Sequence, residues 1–425
     1  MPFLVQLLLG NALNFYPEAA QSAFIACAAA DIFARESGCP NNPTAACDIA
    51  NDYDIDQPSC TFNFGTRNVT IKGTSLFDAK SNSMTFIAGS ITLKKNGELR
   101  AKGTTGSPAG GSIALQPSGT LTIENLSDVS VSSSTAAGNV NLFSGGAITI
   151  NGRVRAEGTA SSAKGGSISV VTPSTITCSS SCTLSVISGN SAFTAGQIQL
   201  DAGGNITLAG AIDLAGARGG SLFVDTDQAA TISNDINIDA TADGSDGGLV
   251  EMSADAGITV DGRILARGKG GSGTSERIWG DVTLAVGNGN LTISDNILAE
   301  GIGYDGEGGE VDLSASGSVS VSQGVTVSAA TTASEGVGGQ VGIGAGVDFT
   351  SYGTLDVAGS GQGGNIDIVA GRHVLVEGTI RAKGVGASSF GGSAALLAGT
   401  TQFGIVPLTP KLMRGAGFAA RTAAA

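Results

Sequence analysis

Apolar residues in this chain fall at every second position in short runs, and the runs are separated by glycine-containing corners. Period-2 alternation over so few residues predicts strands with one buried side. Three kinds of run recur in a fixed order. The first reads Val140-Asn141-Leu142, Ile168-Ser169-Val170, Ile198-Gln199-Leu200, Val311-Asp312-Leu313 and Ile366-Asp367-Ile368. The second reads Leu121-Thr122-Ile123, Ile148-Thr149-Ile150, Ile206-Thr207-Leu208, Ile258-Thr259-Val260 and Leu291-Thr292-Ile293. The third reads Leu99-Arg100-Ala101, Val154-Arg155-Ala156, Ile264-Leu265-Ala266, Ile297-Leu298-Ala299 and Ile380-Arg381-Ala382.

The last glycine of the corner before each first run falls at Gly111, Gly138, Gly166, Gly196, Gly220, Gly248, Gly280, Gly309, Gly339, Gly364 and Gly392, at intervals of 24 to 32 residues averaging about 28. A period of that size marks a solenoid. The pattern predicts an all-β protein, a single-stranded parallel β-helix with three short strands per coil, about 28 residues per coil and about a dozen coils. At roughly 4.8 Å per coil this is a rod of about 55–60 Å. Inward Ile, Val, Leu and Ala stack on their counterparts in the next coil, and no coil is stable without its neighbours.

Composition agrees. The chain has 66 Gly, 15 Phe, four Tyr and one Trp, so it cannot fill several wide cores, yet 41% of it is apolar. A disordered chain would be far more polar. A net charge of −14 opposes nucleic acid and anionic lipid as partners. No run of 18 apolar residues is present to form a membrane-spanning helix.

Four segments follow from these patterns: 1–30, 31–59, 60–396 and 397–425. The first holds Phe3-Leu4-Val5-Gln6-Leu7-Leu8-Leu9 and Ala28-Ala29-Ala30 with no basic residue, and reads as an export signal or an N-terminal helix. Phe24-Ile25-Ala26-Cys27 within it is a weak lipoprotein cleavage box. Residues 31–59 are a cysteine-containing cap, 60–396 the β-helix, and 397–425 a C-terminal cap or tail. A solenoid needs such closures because bare terminal strands recruit other strands.

With one histidine in the chain, the cysteines do not make a zinc site. Cys178 and Cys182 read as a short-loop disulfide, which fits an oxidising compartment. Cys39, Cys47 and Cys60 leave one cysteine over unless Cys27 pairs, and their pairing is open.

Outward positions carry the candidate chemistry. In the second strand they run Thr122, Thr149, Thr177, Thr207, Ser233, Thr259, Thr292, Ser320 and Asp348. Threonine is common in sheets, so this column reads first as strand propensity and only second as a hydroxyl array facing ice or a sugar. In the first strand Glu251, Asp312 and Asp367 lie on non-adjacent coils and form no carboxylate pair of the kind glycoside hydrolysis requires. The acidic corners with Asp243 and Asp246, and with Asp305 and Glu307, are solvated turns or a calcium site. His373 has neither a nucleophile motif nor an acidic partner nearby in sequence. Trp279 on the longest corner, Phe223, and the neighbouring pair Leu265 and Leu298 are contact candidates, exposed apolar residues on otherwise polar faces.

The run Cys60-Thr61-Phe62-Asn63-Phe64-Gly65-Thr66-Arg67-Asn68-Val69-Thr70-Ile71 and the recurring Gly-Gly-x-Ile-x-Leu and Gly-x-Ile-x-Ala-x-Gly units are similar to those of secreted bacterial parallel β-helix repeat proteins, and more distantly of filamentous-haemagglutinin-type adhesins. The resemblance covers roughly residues 60–396 and implies a secreted or cell-surface protein with no catalytic residues to carry over. The expectation is a non-catalytic, extracellular structural or adhesive rod without a cofactor, calcium aside. Its partners would be further copies in an oligomer or filament, or a cell-surface polysaccharide. The alternative is a β-helical enzyme or binding protein acting on polysaccharide.

Overall fold

The computed structural model describes residues 23–24, 27–42, 44–104, 107–189, 193–270, 280–304, 306–386, 388–399, 403–404 and 417–422. The alternating runs become three parallel sheets, each of fourteen strands, which the chain visits in rotation. The result is a β-solenoid of about twelve turns with roughly 28 residues per turn. One turn comprises Ser112–Pro117 on face 1, Leu121–Ile123 on face 2 and Asp128–Ser130 on face 3.

Register between coils is regular. Ile113 stacks on Val140, Val140 on Ile168 and Ile168 on Ile198, each fully or almost fully buried. On face 2 the inward position passes from Ile123 to Ile150, Cys178, Leu208 and Ile232. A single slip in register would turn every inward residue of a strand to solvent, so alternation fixes the pairing. Ser351 breaks the aliphatic series between Val321 and Val376, and its buried hydroxyl has no hydrogen-bond partner among the described residues. Near face 2, buried hydroxyls of Thr172 and Thr226 donate to Gly146 O (2.6 Å) and Gly204 O (2.5 Å), securing corners to the coil below.

The core is aliphatic along most of the rod, as the composition implies, but the first coils are aromatic. Tyr53 and Phe77 stack at 4.9 Å, and Phe86 lies 5.1 Å from both Phe62 and Phe77. These larger side chains fill the core where the rod meets its N-terminal closure.

That closure is built from residues 27–46 and the first short strands. A helix, α1 (Ala29–Phe33), forms on an alanine-rich stretch, with the Asp31 carboxylate accepting from Ala28 N. Ile32 of α1 is fully buried in the core, Phe33 packs edge-on to Phe64, and Arg67 lies over the Phe33 ring and donates to Pro40 O. Glu36, only 5% exposed, accepts from Ala50 N, Asn51 N and the Tyr53 hydroxyl. Burial, and then the Glu36 carboxylate, push the Tyr53 hydroxyl well above its ordinary value.

The cysteine pairing left open by sequence resolves as Cys27–Cys60 and Cys39–Cys47, with Cys178–Cys182 as expected. Cys47–Ile49 and Tyr53–Asp54, within the segment read as a cap, already join the sheets. They escaped the repeat pattern because no glycine corner at the repeat spacing precedes them and Cys47 stands where the repeat places an aliphatic residue. At the far end Phe403–Gly404 and Gly417–Thr422 pair onto the last coils. The rest of segment 397–425 beyond residue 399, and residues 1–22 of the export reading, lie outside the described residues.

Candidate functional site

The three faces differ in what they turn outward. On face 2 the threonine column is longer and more regular than the sequence count gave: Thr70, Thr92, Thr122, Thr149, Thr177, Thr207, Thr231, Thr259, Thr292, Ser320 and Thr350 follow one another without a gap. Ser233 and Asp348 do not belong to it. Ser233 lies past the end of Ala229–Ile232, where alanine at the inward position 230 hid the alternation, and Asp348 sits one outward position earlier on its strand.

Asp348 instead makes a cluster at the C-terminal end of face 2. Its carboxylate accepts from the Arg372 guanidinium and, at 2.8 Å, from His373 Nδ1. The Arg372 hydrogen bond first, and then His373, hold the Asp348 carboxyl far below the usual carboxylate range. His373 therefore has an acidic partner that sequence distance concealed, because the two residues are one coil apart.

The same axial logic governs most ion pairs. Arg155–Asp128, Arg263–Asp235, Arg267–Asp239, Arg381–Asp356 and Lys94–Glu124 each join neighbouring coils. Asp128 is 2% exposed and accepts two guanidinium hydrogen bonds from Arg155. Much of the small basic complement thus holds coil to coil along the rod axis.

Carboxylates gather where face 3 turns into face 1. A groove there is floored by paired glycines, and at Gly308 and Gly338 a Cβ would lie 1.9 Å from a carbonyl oxygen of the chain. Asp281, Glu307 and Glu310 line the groove, and Asp281 also borders a second depression lined by Asp246 and Arg218. Asp281 and Glu310 are register partners on adjacent coils, and Asp312 lies two residues along from Glu310 on the same side. Burial, then Asp312 and Asp281, raise the Glu310 carboxyl above its ordinary value. Burial also raises Asp281; the hydrogen bond from Glu310 N opposes this, while Asp246 and Asp312 reinforce it.

The sequence reading missed this trio because it followed the middle outward position of face 1, where the acids are scattered. The signal was the residue just after the corner glycine, Asp281 after Gly280 and Glu310 after Gly309. A carboxyl raised above its ordinary value is what a general acid requires.

This arrangement gives a stability prediction. Carboxyls raised in the folded state add stability below their unfolded values, here 4.5 for Glu310 and 3.8 for Asp281, and lose it as pH rises through the raised folded values. Glu310→Gln is therefore expected to melt slightly higher than the parent at pH 7, with the difference closing as pH falls toward 4. Calorimetric scans at both pH values measure it, and a variant that melts lower at pH 7 contradicts the assignment.

Of the calcium candidates, Asp243 pairs with Lys269 at 3.0 Å, Glu307 lines the groove, Asp246 lines the neighbouring depression, and Asp305 is outside the described residues. No group of three or more acidic, histidine or cysteine side chains suited to a metal forms among the described residues. Of the contact candidates, Phe223 on face 1 and the register pair Leu265 and Leu298 on face 3 are half-buried rather than exposed, because neighbouring coils cover their flanks. Trp279 lies outside the described residues. The exposed apolar side chains are others, with Phe390 the most open at 73%.

Fold and faces together define a disulfide-bonded parallel β-solenoid. No family model matches the chain, and no curated protein and no solved structure matches it. Among the described residues no helix is long and apolar enough to cross a membrane.

Proposed function

We propose that this protein is a non-catalytic rod on the extracellular side of the cell, secreted or surface-held, whose lateral faces contact a cell-surface polysaccharide. The observation that carries the reading is the unbroken hydroxyl column of face 2, from Thr70 to Thr350, which presents one chemistry at a constant axial spacing of about 4.8 Å. A repeating polymer is the ligand class that exploits such periodicity. Three disulfides support an oxidising compartment. The axial use of the basic residues and the net charge of −14 argue against nucleic acid. The closed N-terminal end favours lateral contact over end-to-end fibres.

A second reading, a polysaccharide-cleaving enzyme, is favoured by Asp281, Glu310 and Asp312 beside the groove. One experiment separates the two. The protein is incubated with insoluble polysaccharides, and both co-sedimentation and newly formed chain ends are measured. The rod reading expects retention without cleavage, weakened by Thr→Val changes at Thr149, Thr177 and Thr207. Cleavage that Glu310→Gln abolishes would replace it with the enzyme reading.

A further inference from the structure

The first coil has a terminal strand on two faces, Ser59–Asn63 on face 1 and Cys47–Ile49 on face 2, and on face 3 Tyr53–Asp54 is covered by Ala23–Phe24. Unpaired strand edges recruit further strands. The two edges on which no strand is laid among the described residues are each tied to the N-terminal segment by a disulfide: Cys60 to Cys27, and Cys47 to Cys39. On face 2 the tie is extended by Asp48 N donating to Gly38 O at 2.8 Å. Beneath this segment the inward side chains Ile49, Tyr53 and Phe62 are fully buried. Helix α1 has five residues, too few to persist without tertiary support. The covalent ties act together with buried Ile32, the Arg67 bond to Pro40 O and the Glu36 hydrogen bonds to hold this segment over the apolar first coil.

We propose that Cys27–Cys60 and Cys39–Cys47 form a redox-held lock, and that reduction by a dithiol frees the segment and lets the first coil pair with the first coil of a second copy. Each disulfide takes two electrons and two protons from one dithiol, giving two cysteine thiols and the cyclic disulfide of the reductant. A second copy is the fitting occupant because reduction opens the same edges and the same apolar side chains on every molecule. Apposed across a two-fold axis through face 1, the two Ser59–Asn63 edges meet antiparallel and the contact closes as a dimer. Cys178–Cys182 takes no part, since it is buried in the middle of the rod. Where disulfides do not form, the chain carries an open end; where they form, it is a capped rod.

The test uses the full chain, 41.7 kDa, with light-scattering mass and far-ultraviolet circular dichroism measured before and after dithiothreitol. A quadruple variant, Cys27→Ser, Cys39→Ser, Cys47→Ser and Cys60→Ser, is compared with Cys178→Ala, Cys182→Ala. The expected result is a monomer for the oxidised parent and the oxidised 178/182 variant. Doubled mass with an unchanged β spectrum is expected for the reduced parent and the quadruple variant. Hydrogen exchange on the reduced parent at high dilution, expected to accelerate at residues 47–49 and 59–63, covers the case in which the quadruple variant does not fold. The proposal is overturned if the reduced parent keeps its monomer mass, if its mass grows without limit, if the β spectrum collapses on reduction, or if the 178/182 variant dimerises while oxidised.

Discussion

Ile206→Asp is expected to abolish cooperative folding. Ile206 is 1% exposed on face 2 and stacks between Ile176 below and Ala230 above. An aspartate there would place a carboxyl inside an aliphatic ladder, either ionised without a partner or protonated with an unmet hydrogen bond. Burial of an unpaired charge belongs to the small class of substitutions that cost more than about 4 kcal/mol. A solenoid amplifies the loss, because each coil is stable only through its neighbours and the defect removes two interfaces at once. Circular dichroism and urea unfolding measure it. A variant with the parental midpoint would mean that residue 206 faces outward and that the register of face 2 is wrong.

Gly138→Ala is expected to destabilise nearly as severely, by about 3–5 kcal/mol, although it adds a single methyl group. A Cβ at this position would lie 1.6 Å from Gly111 O, in the corner of the coil below. The nearest atoms it meets are all backbone, so relief requires separating two coils. Gly344→Ala on face 1 is the control: its nearest neighbour would be Ser314 Cβ at 3.9 Å, an ordinary contact. Restricting the unfolded chain there is expected to raise stability by about 0.4–1 kcal/mol. Chemical denaturation of both variants decides the matter. Equal effects would show that the corner glycines serve turn flexibility and not close approach of successive coils.

The solenoid was legible because its information is local and repeated. Ile148-Thr149-Ile150 shows which side faces in without reference to any other coil, and the spacing of Gly138 and Gly166 shows where the next coil starts. The register of Asn141, Ser169 and Gln199 on face 1 appears in the structure as read. Where the repeat weakens, reading fails. Ala229-Ala230-Thr231-Ile232 lacks a branched inward residue at 230, and the threonine column was misassigned there by two positions.

Chemistry between coils was harder to see. Asp348 and His373, or Asp281 and Glu310, are separated by about one repeat, and repeats vary in length, so their contact appears only once pairing is known. The N-terminal closure was the least legible part. Glu36 is buried by hydrogen bonds to Ala50, Asn51 and Tyr53, and Cys27 pairs across 33 residues, neither of which follows a period.

The most direct measurement of the central claim is electron microscopy of the oxidised protein over a concentration series. A capped solenoid of about twelve turns is expected to give separate rods about 60 Å long, unchanged as concentration rises. Compact globular particles, or filaments that lengthen by end-to-end addition while the disulfides are intact, would contradict it.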